Sequence, residues 1–197
     1  MRYEAVVIGV SAGGLEALKI LLPALPSAFP LPIAIVQHRS DHSNGFLATH
    51  LNQMSAIVVS EAEDKEPLCA GHAYLAPAGY HLLIESDCCF SLSVDPRVNH
   101  SCPSIDVLFE SAADVFAESL IGIVLTGSNA DGAQGLKRVK ARGGLAVVQD
   151  PKTAAAMAMP RAALEATPVD HIVDLARLAP LLIRISAQQE EVHGTVG

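Results

Sequence analysis

Three residues of the types that run ester or amide hydrolysis each follow a short β-branched run. Ser11 follows EAVVIG at 4–9, His38 follows PIAIVQ at 32–37, and Asp131 lies in the loop after IGIVLTG at 121–127. An unassisted serine hydroxyl is a weak nucleophile, and a histidine within hydrogen-bond reach is its usual activator. A carboxylate behind the imidazole orients it and stabilises imidazolium. Gly9-Val10-Ser11-Ala12-Gly13 fits G-x-S-x-G, a serine on a tight turn from strand to helix. Its small residues relieve crowding and let a carbonyl approach. The helix expected over 14–22 (GLEALKILL) turns free N–H groups and its positive dipole end to the same spot.

Each residue also has a plainer reading. His38 is one of eight histidines and could simply pack or cap at a strand end. Asp131 could cap the helix expected to begin near Ala133. Gly9, Ser11 and Gly14 nearly fit a dinucleotide fingerprint. Ser11 replaces the glycine that must approach pyrophosphate, and the second strand ends in Gln37 and His38 rather than an acid, so a nucleotide site is disfavoured. The chain order Ser, His, Asp differs from the Ser, Asp, His order of α/β-hydrolases.

Positioning three such groups requires strand ends that meet. Strands and helices alternate over 4–54 and again from 104 onward: a helix at 104–120, a strand at 121–127, the helix AQGLKRVKARG and the strand LAVVQD. That pattern predicts an α/β fold, a doubly wound, mostly parallel sheet with helices on both faces, whose ligands sit beyond the carboxyl ends of the strands. Residues 56–95 read as strand-rich and partly antiparallel, with turn chemistry at Asp64, Gly71, Pro77 and Gly79 and without helical crossovers. One domain over 1–187 is expected, with 188–197 a flexible tail.

The bulk numbers agree. The chain has 197 residues, half of them apolar, and a formal net charge of −8, which disfavours a broad nucleic-acid surface. No apolar run is long enough to span a bilayer, no secretory signal is visible, and the four cysteines form neither a C-x-x-C nor a disulfide framework. A cytoplasmic protein is expected.

VVIGVSAGGLEAL, AIVQHRSDHSNGFLATHLN, AEDKEPLCAGHAYLAPAGYHLLI, VNHSCPSIDVLFESAA, GIVLTGSNADGAQGLKRVKARGG and VVQDPKTAAAMAMPRAAL run in this order over residues 4–165. Together they resemble the catalytic domain of the chemotaxis protein-glutamate methylesterase family (CheB-type), with a weaker match to about residue 185. The resemblance implies a doubly wound sheet with an antiparallel edge hairpin. It implies hydrolysis of methyl esters on receptor glutamates, deamidation of some receptor glutamines, and no metal or organic cofactor. The family's serine, histidine and aspartate match Ser11, His38 and Asp131, and its oxyanion donor matches the backbone N–H of Ser128, with Ala12 as a second donor. The expected partners are the cytoplasmic helices of methyl-accepting chemoreceptors, without membrane insertion.

Two departures stand out. Ser128 and Asn129 occupy positions where the family usually has methionine and glycine, and Asn129 tolerates unusual backbone angles. No N-terminal receiver domain of the kind typical in the family is expected, which would leave control to a separate regulatory protein. A domain of this kind that docks on a receptor without turnover is the competing reading. His42 lies in a predicted loop and is not expected to pair with His38 on a metal. His72, His81 and His100 are read as structural. Cys88 and Cys89 are read as small apolar residues in or beside a strand, and Met157 and Met159 as core.

Overall fold

The computed structural model describes residues 2–39 and 46–187; residues 40–45 with His42, expected as a loop, and residues 188–197, expected as a tail, lie outside the described residues. Seven strands form one parallel sheet in the order β3-β4-β2-β1-β7-β8-β9. They are β1 (Ala5–Val10), β2 (Ile33–Gln37), β3 (Val58–Glu61), β4 (His72–Leu75), β7 (Leu120–Val124), β8 (Leu145–Gln149) and β9 (His171–Val173). Central strands such as AVVIGV are apolar without a break because both faces of the sheet are covered.

Alternation along each strand divides the core in two. Val6, Ile8 and Val10 pack with Leu18 and Leu21 of α1 (Gly14–Leu21), Leu51 of α2 (Phe46–Met54) and Leu178 and Leu182 of α6 (Leu175–Ala187). Ala5 and Val7 face the other layer, with Phe109 of α3 (Ile105–Phe116), Leu136 of α4 (Ala133–Ala141) and Ala163 of α5 (Ala158–Ala166). The winding therefore reverses between β1 and β7, which opens a crevice at the carboxyl ends of the central strands. Ser11, His38 and Asp131 follow β1, β2 and β7, three adjacent strands.

The middle of the chain explains its strand-rich pattern. β3 and β4 are parallel, yet residues 62–71 between them carry no helix. The returning chain instead pairs with a hairpin: Lys65 N–H donates to Phe90 O and Phe90 N–H to Glu66 O, both at 2.8 Å. That hairpin, β5 (His81–Ile84) and β6 (Phe90–Ser93), is the expected antiparallel pair. It stands as its own two-stranded sheet against α3, where Ile84 N–H donates to Ser111 Oγ at 3.1 Å.

Three local expectations shift. The helix read over 104–120 stops at Phe116, where Ala117 takes a left-handed φ of 47° and residues 117–119 form a 3₁₀ turn. The strand read to Gly127 ends at Val124. Cys88, read as a small apolar residue in or beside a strand, is an exposed turn residue with φ 61° between β5 and β6.

Candidate active site

The turn after β1 is built by contacts rather than by its own residues alone. Ser11 N–H donates to Thr126 O at 2.9 Å, and Gly14 N–H closes the turn onto Ser11 O at 2.8 Å. Gly13 has φ 78°, and a Cβ there would lie 2.6 Å from Ala155 Cβ, so both backbone and space require glycine. Thr126 is buried; its hydroxyl donates to Ala12 O at 2.7 Å and accepts from Ala156 N–H at 2.8 Å. Its own N–H donates to Gln149 Oε1 at 3.0 Å.

Gln37, the last residue of β2, ties the serine turn to the histidine. Its amide donates to Ser11 O at 3.0 Å and to His38 O at 2.8 Å. Gly14 leaves room for that amide, since a Cβ there would fall 2.0 Å from Gln37 Oε1. His38 N–H also donates to Val10 O at 3.0 Å, extending the β1–β2 pairing by one residue.

The side chains of Ser11, His38 and Asp131 meet. His38 Nδ1 lies 3.2 Å from Ser11 Oγ, and Nε2 lies 2.7 Å from Asp131 Oδ2. An ionised carboxylate only accepts, so Nε2 carries the proton and Nδ1 is free to accept from the hydroxyl. This is the opposite ring assignment to that of chymotrypsin, with the same division of roles. The imidazole keeps 12 % of its surface exposed while the Asp131 side chain has none. An imidazole open to solvent is thus backed by a carboxylate that is closed to it.

Asp131 does not cap its own helix. Gly132 is the N-cap of α4, with φ 94° and no side-chain cap. Asp131 instead caps α3, accepting from Ile105 N–H at 2.7 Å and Asp106 N–H at 3.2 Å. Ser104 Oγ and Asn99 Nδ2 donate to it as well, at 2.8 and 3.0 Å. Burial by itself would raise its pKa, but the hydrogen bonds from His38, Asn99, the Ile105 N–H and Ser104 outweigh burial and hold it below the ordinary value. Asp106 is pushed the other way, by burial first and then by the charge of Asp131, against the opposing hydrogen bond from Gly135 N–H at 2.6 Å.

Asn129 takes no left-handed angle. Its Oδ1 accepts from Asp131 N–H at 3.2 Å and closes the loop as an Asx turn, a side-chain solution to the bend. A recess of about 90 Å³ opens beside the imidazole, lined by His38, Arg39, Arg97, His100, Ser101, Cys102 and Pro103. Arg39 is held there by Glu61 Oε1 at 2.5 Å and Ala76 O at 2.9 Å.

Other sequence candidates fall outside the site. His81 is buried, accepts from Ser104 N–H at 3.2 Å through Nδ1, and its Nε2 faces Pro96 O at 3.2 Å. His72 faces Ala70 O. Met159 is core, whereas Met157 is exposed. Among the described residues no group of three His, Cys, Asp or Glu side chains could hold a metal, and no helix is long and apolar enough to cross a membrane. Sequence reasoning passed over Gln37, Thr126 and Gln149, although each is a polar residue at the end of an apolar run. A buried polar group must find a partner, and that is the readable signal. Asn99, Ser104 and Asp106 sat inside VNHSCPSID without a role.

These strand-end residues can be set beside known proteins. The profile described as CheB methylesterase matches residues 6–182. A putative protein-glutamate methylesterase/protein-glutamine glutaminase of Leptospira interrogans is 54 % identical over 191 residues, covering 97 % of this chain and 99 % of that protein. Protein-glutamate methylesterase/protein-glutamine glutaminase 2 of Vibrio vulnificus is 40 % identical over 185 residues; the match covers 92 % of this chain and 53 % of that longer protein. The crystal structure of the Thermotoga maritima CheB methylesterase catalytic domain superposes with a TM-score of 0.90 at 32 % identity, covering 94 % of this chain and 100 % of that one. With profile, relatives and fold in agreement across nearly its whole length, the chain belongs to the CheB methylesterase family.

Proposed function

We propose that this chain hydrolyses methyl esters on glutamate side chains of chemoreceptor-like proteins, with Ser11 as nucleophile, His38 as general base and acid, and Asp131 as its orienting carboxylate. The observation that carries the reading is the unbroken chain of contacts from Ser11 Oγ through the imidazole to the buried Asp131 carboxylate. Ser11 Oγ attacks the ester carbonyl as Nδ1 takes its proton. The imidazolium then protonates the departing methoxide, leaving an acyl-enzyme and methanol. Water, deprotonated by the same nitrogen, cleaves the acyl-enzyme to a free glutamate carboxylate. A glutamine side chain would follow the same path with ammonia as the leaving group, which is the glutaminase activity in the relatives' names.

The oxyanion would be held by backbone N–H groups of Ala12 and Ser128. Both residues are exposed, and neither N–H has an acceptor among the described residues. The N-terminus of α1 adds its dipole at the same place. Because the substrate glutamates belong to cytoplasmic helices of chemoreceptors, the reaction would run in the cytoplasm.

A serine-directed phosphonate tests the chemistry without the receptor. The account predicts covalent labelling at Ser11, lost in His38→Ala. A folded protein that resists the probe points to the docking-only alternative.

A further inference from the structure

Asn99 stands at a place where two acids need separating. Val98 and Ser101 exchange backbone hydrogen bonds, Val98 N–H to Ser101 O at 3.1 Å and Ser101 N–H to Val98 O at 2.9 Å, closing a two-residue turn. Both central residues are left-handed, Asn99 with φ 51° and His100 with φ 65°, as a mirror-image type I′ turn requires. A histidine in the second position, where glycine is favoured, marks a backbone held by its surroundings. The turn delivers the Asn99 amide between two buried carboxylates. Nδ2 lies 2.7 Å from Asp106 Oδ2 and 3.0 Å from Asp131 Oδ1. Both partners are acceptors, so the amide nitrogen and not its oxygen must face them.

We propose that Asn99 is a positioning residue for the reaction: its amide bridges Asp106 and Asp131 and keeps Asp131 an oriented anion behind His38. The inference rests on the esterase reading above. Two carboxylates in one buried pocket repel, and the ordinary relief is to protonate one of them. The two N–H groups of a single amide relieve the pair without a proton. The fixed turn holds the amide on Asp131 Oδ1, the oxygen that does not face the imidazole. The other charged groups around the pair are His38 from the end of β2, Glu110 on α3 and Arg138 on α4, with Arg39, Arg97 and His100 around the recess. None of these joins the two carboxylates; Asn99 does.

The direction of the effect follows. Without the amide, both acids hold negative charge less well shielded, so a proton on Asp106 or Asp131 is bound more tightly. The active form, neutral imidazole behind an ionised Asp131, then needs a higher pH.

The test is steady-state hydrolysis across pH of a peptide carrying one glutamyl methyl ester, by wild type, Asn99→Gly and Asn99→Asp, with unfolding curves for each. Glycine accepts the left-handed turn and deletes only the amide. Aspartate keeps size and turn propensity but adds a third acid. We expect Asn99→Gly to lose about 10- to 100-fold in kcat, the worth of a hydrogen bond to a charged group, with KM little changed. Its acid limb should move to higher pH. Asn99→Asp should lose more, with a limb moved further the same way. An active wild type whose acid limb is unmoved in both variants, or a loss confined to KM or to melting temperature, overturns the inference alone. A wild type that leaves the ester intact overturns the esterase reading and this inference with it.

Discussion

Asp106 and Asp131 exchange helix caps: Asp131, just before α4, accepts from the first N–H groups of α3, while Asp106, in the first turn of α3, accepts from Gly135 N–H in the first turn of α4. Each acid sits at the positive end of the other's helix. The group that backs the histidine is therefore also part of what joins α3 to α4. Asp131→Asn should lower kcat by about 10⁴-fold on serine-triad precedent. It also turns an amide N–H₂ toward donors, so stability should fall by about 1–3 kcal/mol. Denaturant unfolding beside ester kinetics reads both losses from one substitution.

The two acids carry opposite pH signatures. Asp131 has a folded pKa below its ordinary 3.8, so its contribution to stability is present above that value and lost as pH falls through the lower folded one. Asp106 has a folded pKa above 3.8, so its ionised form weakens the fold at neutral pH, and that penalty lifts as pH falls through the raised value toward 3.8. Stability should thus rise slightly on mild acidification and fall below about 3.8. In Asp106→Asn the rise should shrink to the part left by Glu110, which burial also raises, while the acid fall remains. Unfolding free energies measured across this range check both signs.

Gly14→Ala separates the register of the site from its chemistry. Gly14 is an ordinary helical position, but a methyl group there meets the Gln37 amide that holds Ser11 O and His38 O. Displacing Gln37 should cost about 1–3 kcal/mol, as overpacking does. kcat should fall although every reacting group remains. Ser or Ala at Gln37 in the Gly14→Ala background should restore stability more than rate.

Much of this was legible in the chain, for identifiable reasons. Ser11, His38 and Asp131 could be singled out because Ser11 and His38 directly follow runs of buried strand and Asp131 lies in the loop after a third, and alternating strands and helices imply that such ends gather. The strand-rich, partly antiparallel reading of 56–95 followed from the turn residues Asp64, Gly71, Pro77 and Gly79, and the hairpin itself from the family resemblance. The reach of Asp131 to α3 was not legible, because capping is normally argued from a residue's own helix and Asp131 caps one that begins earlier in the sequence. The part of Gln37 was legible only as a polar residue ending an apolar run, which must find partners; that these are Ser11 O and His38 O depends on the packed turn. The helix end at Phe116 depended on a φ value at Ala117 that only the packed structure determines, whereas the start of α4 at Ala133 was read from the sequence.

Thr126→Val keeps the shape of the side chain and removes the hydroxyl that joins Ala12 O to Ala156 N–H. Two partly exposed backbone groups lose their partner, at a cost of about 0.5–1.5 kcal/mol. Ala12 carries one proposed oxyanion donor, so turnover should also fall. The loss should be smaller than the roughly 10²- to 10³-fold seen when such a donor is deleted outright. Melting curves and kcat on the same preparation make the comparison.

Mass spectrometry of a methylated chemoreceptor cytoplasmic fragment, before and after incubation with this protein or its Ser11→Ala variant, tests the central claim most directly. The account predicts that wild type removes one CH₂ mass per esterified glutamate with the backbone intact, and that Ser11→Ala is slower by several orders of magnitude. Equal demethylation by the two proteins, or none by a wild type that is folded, would contradict it.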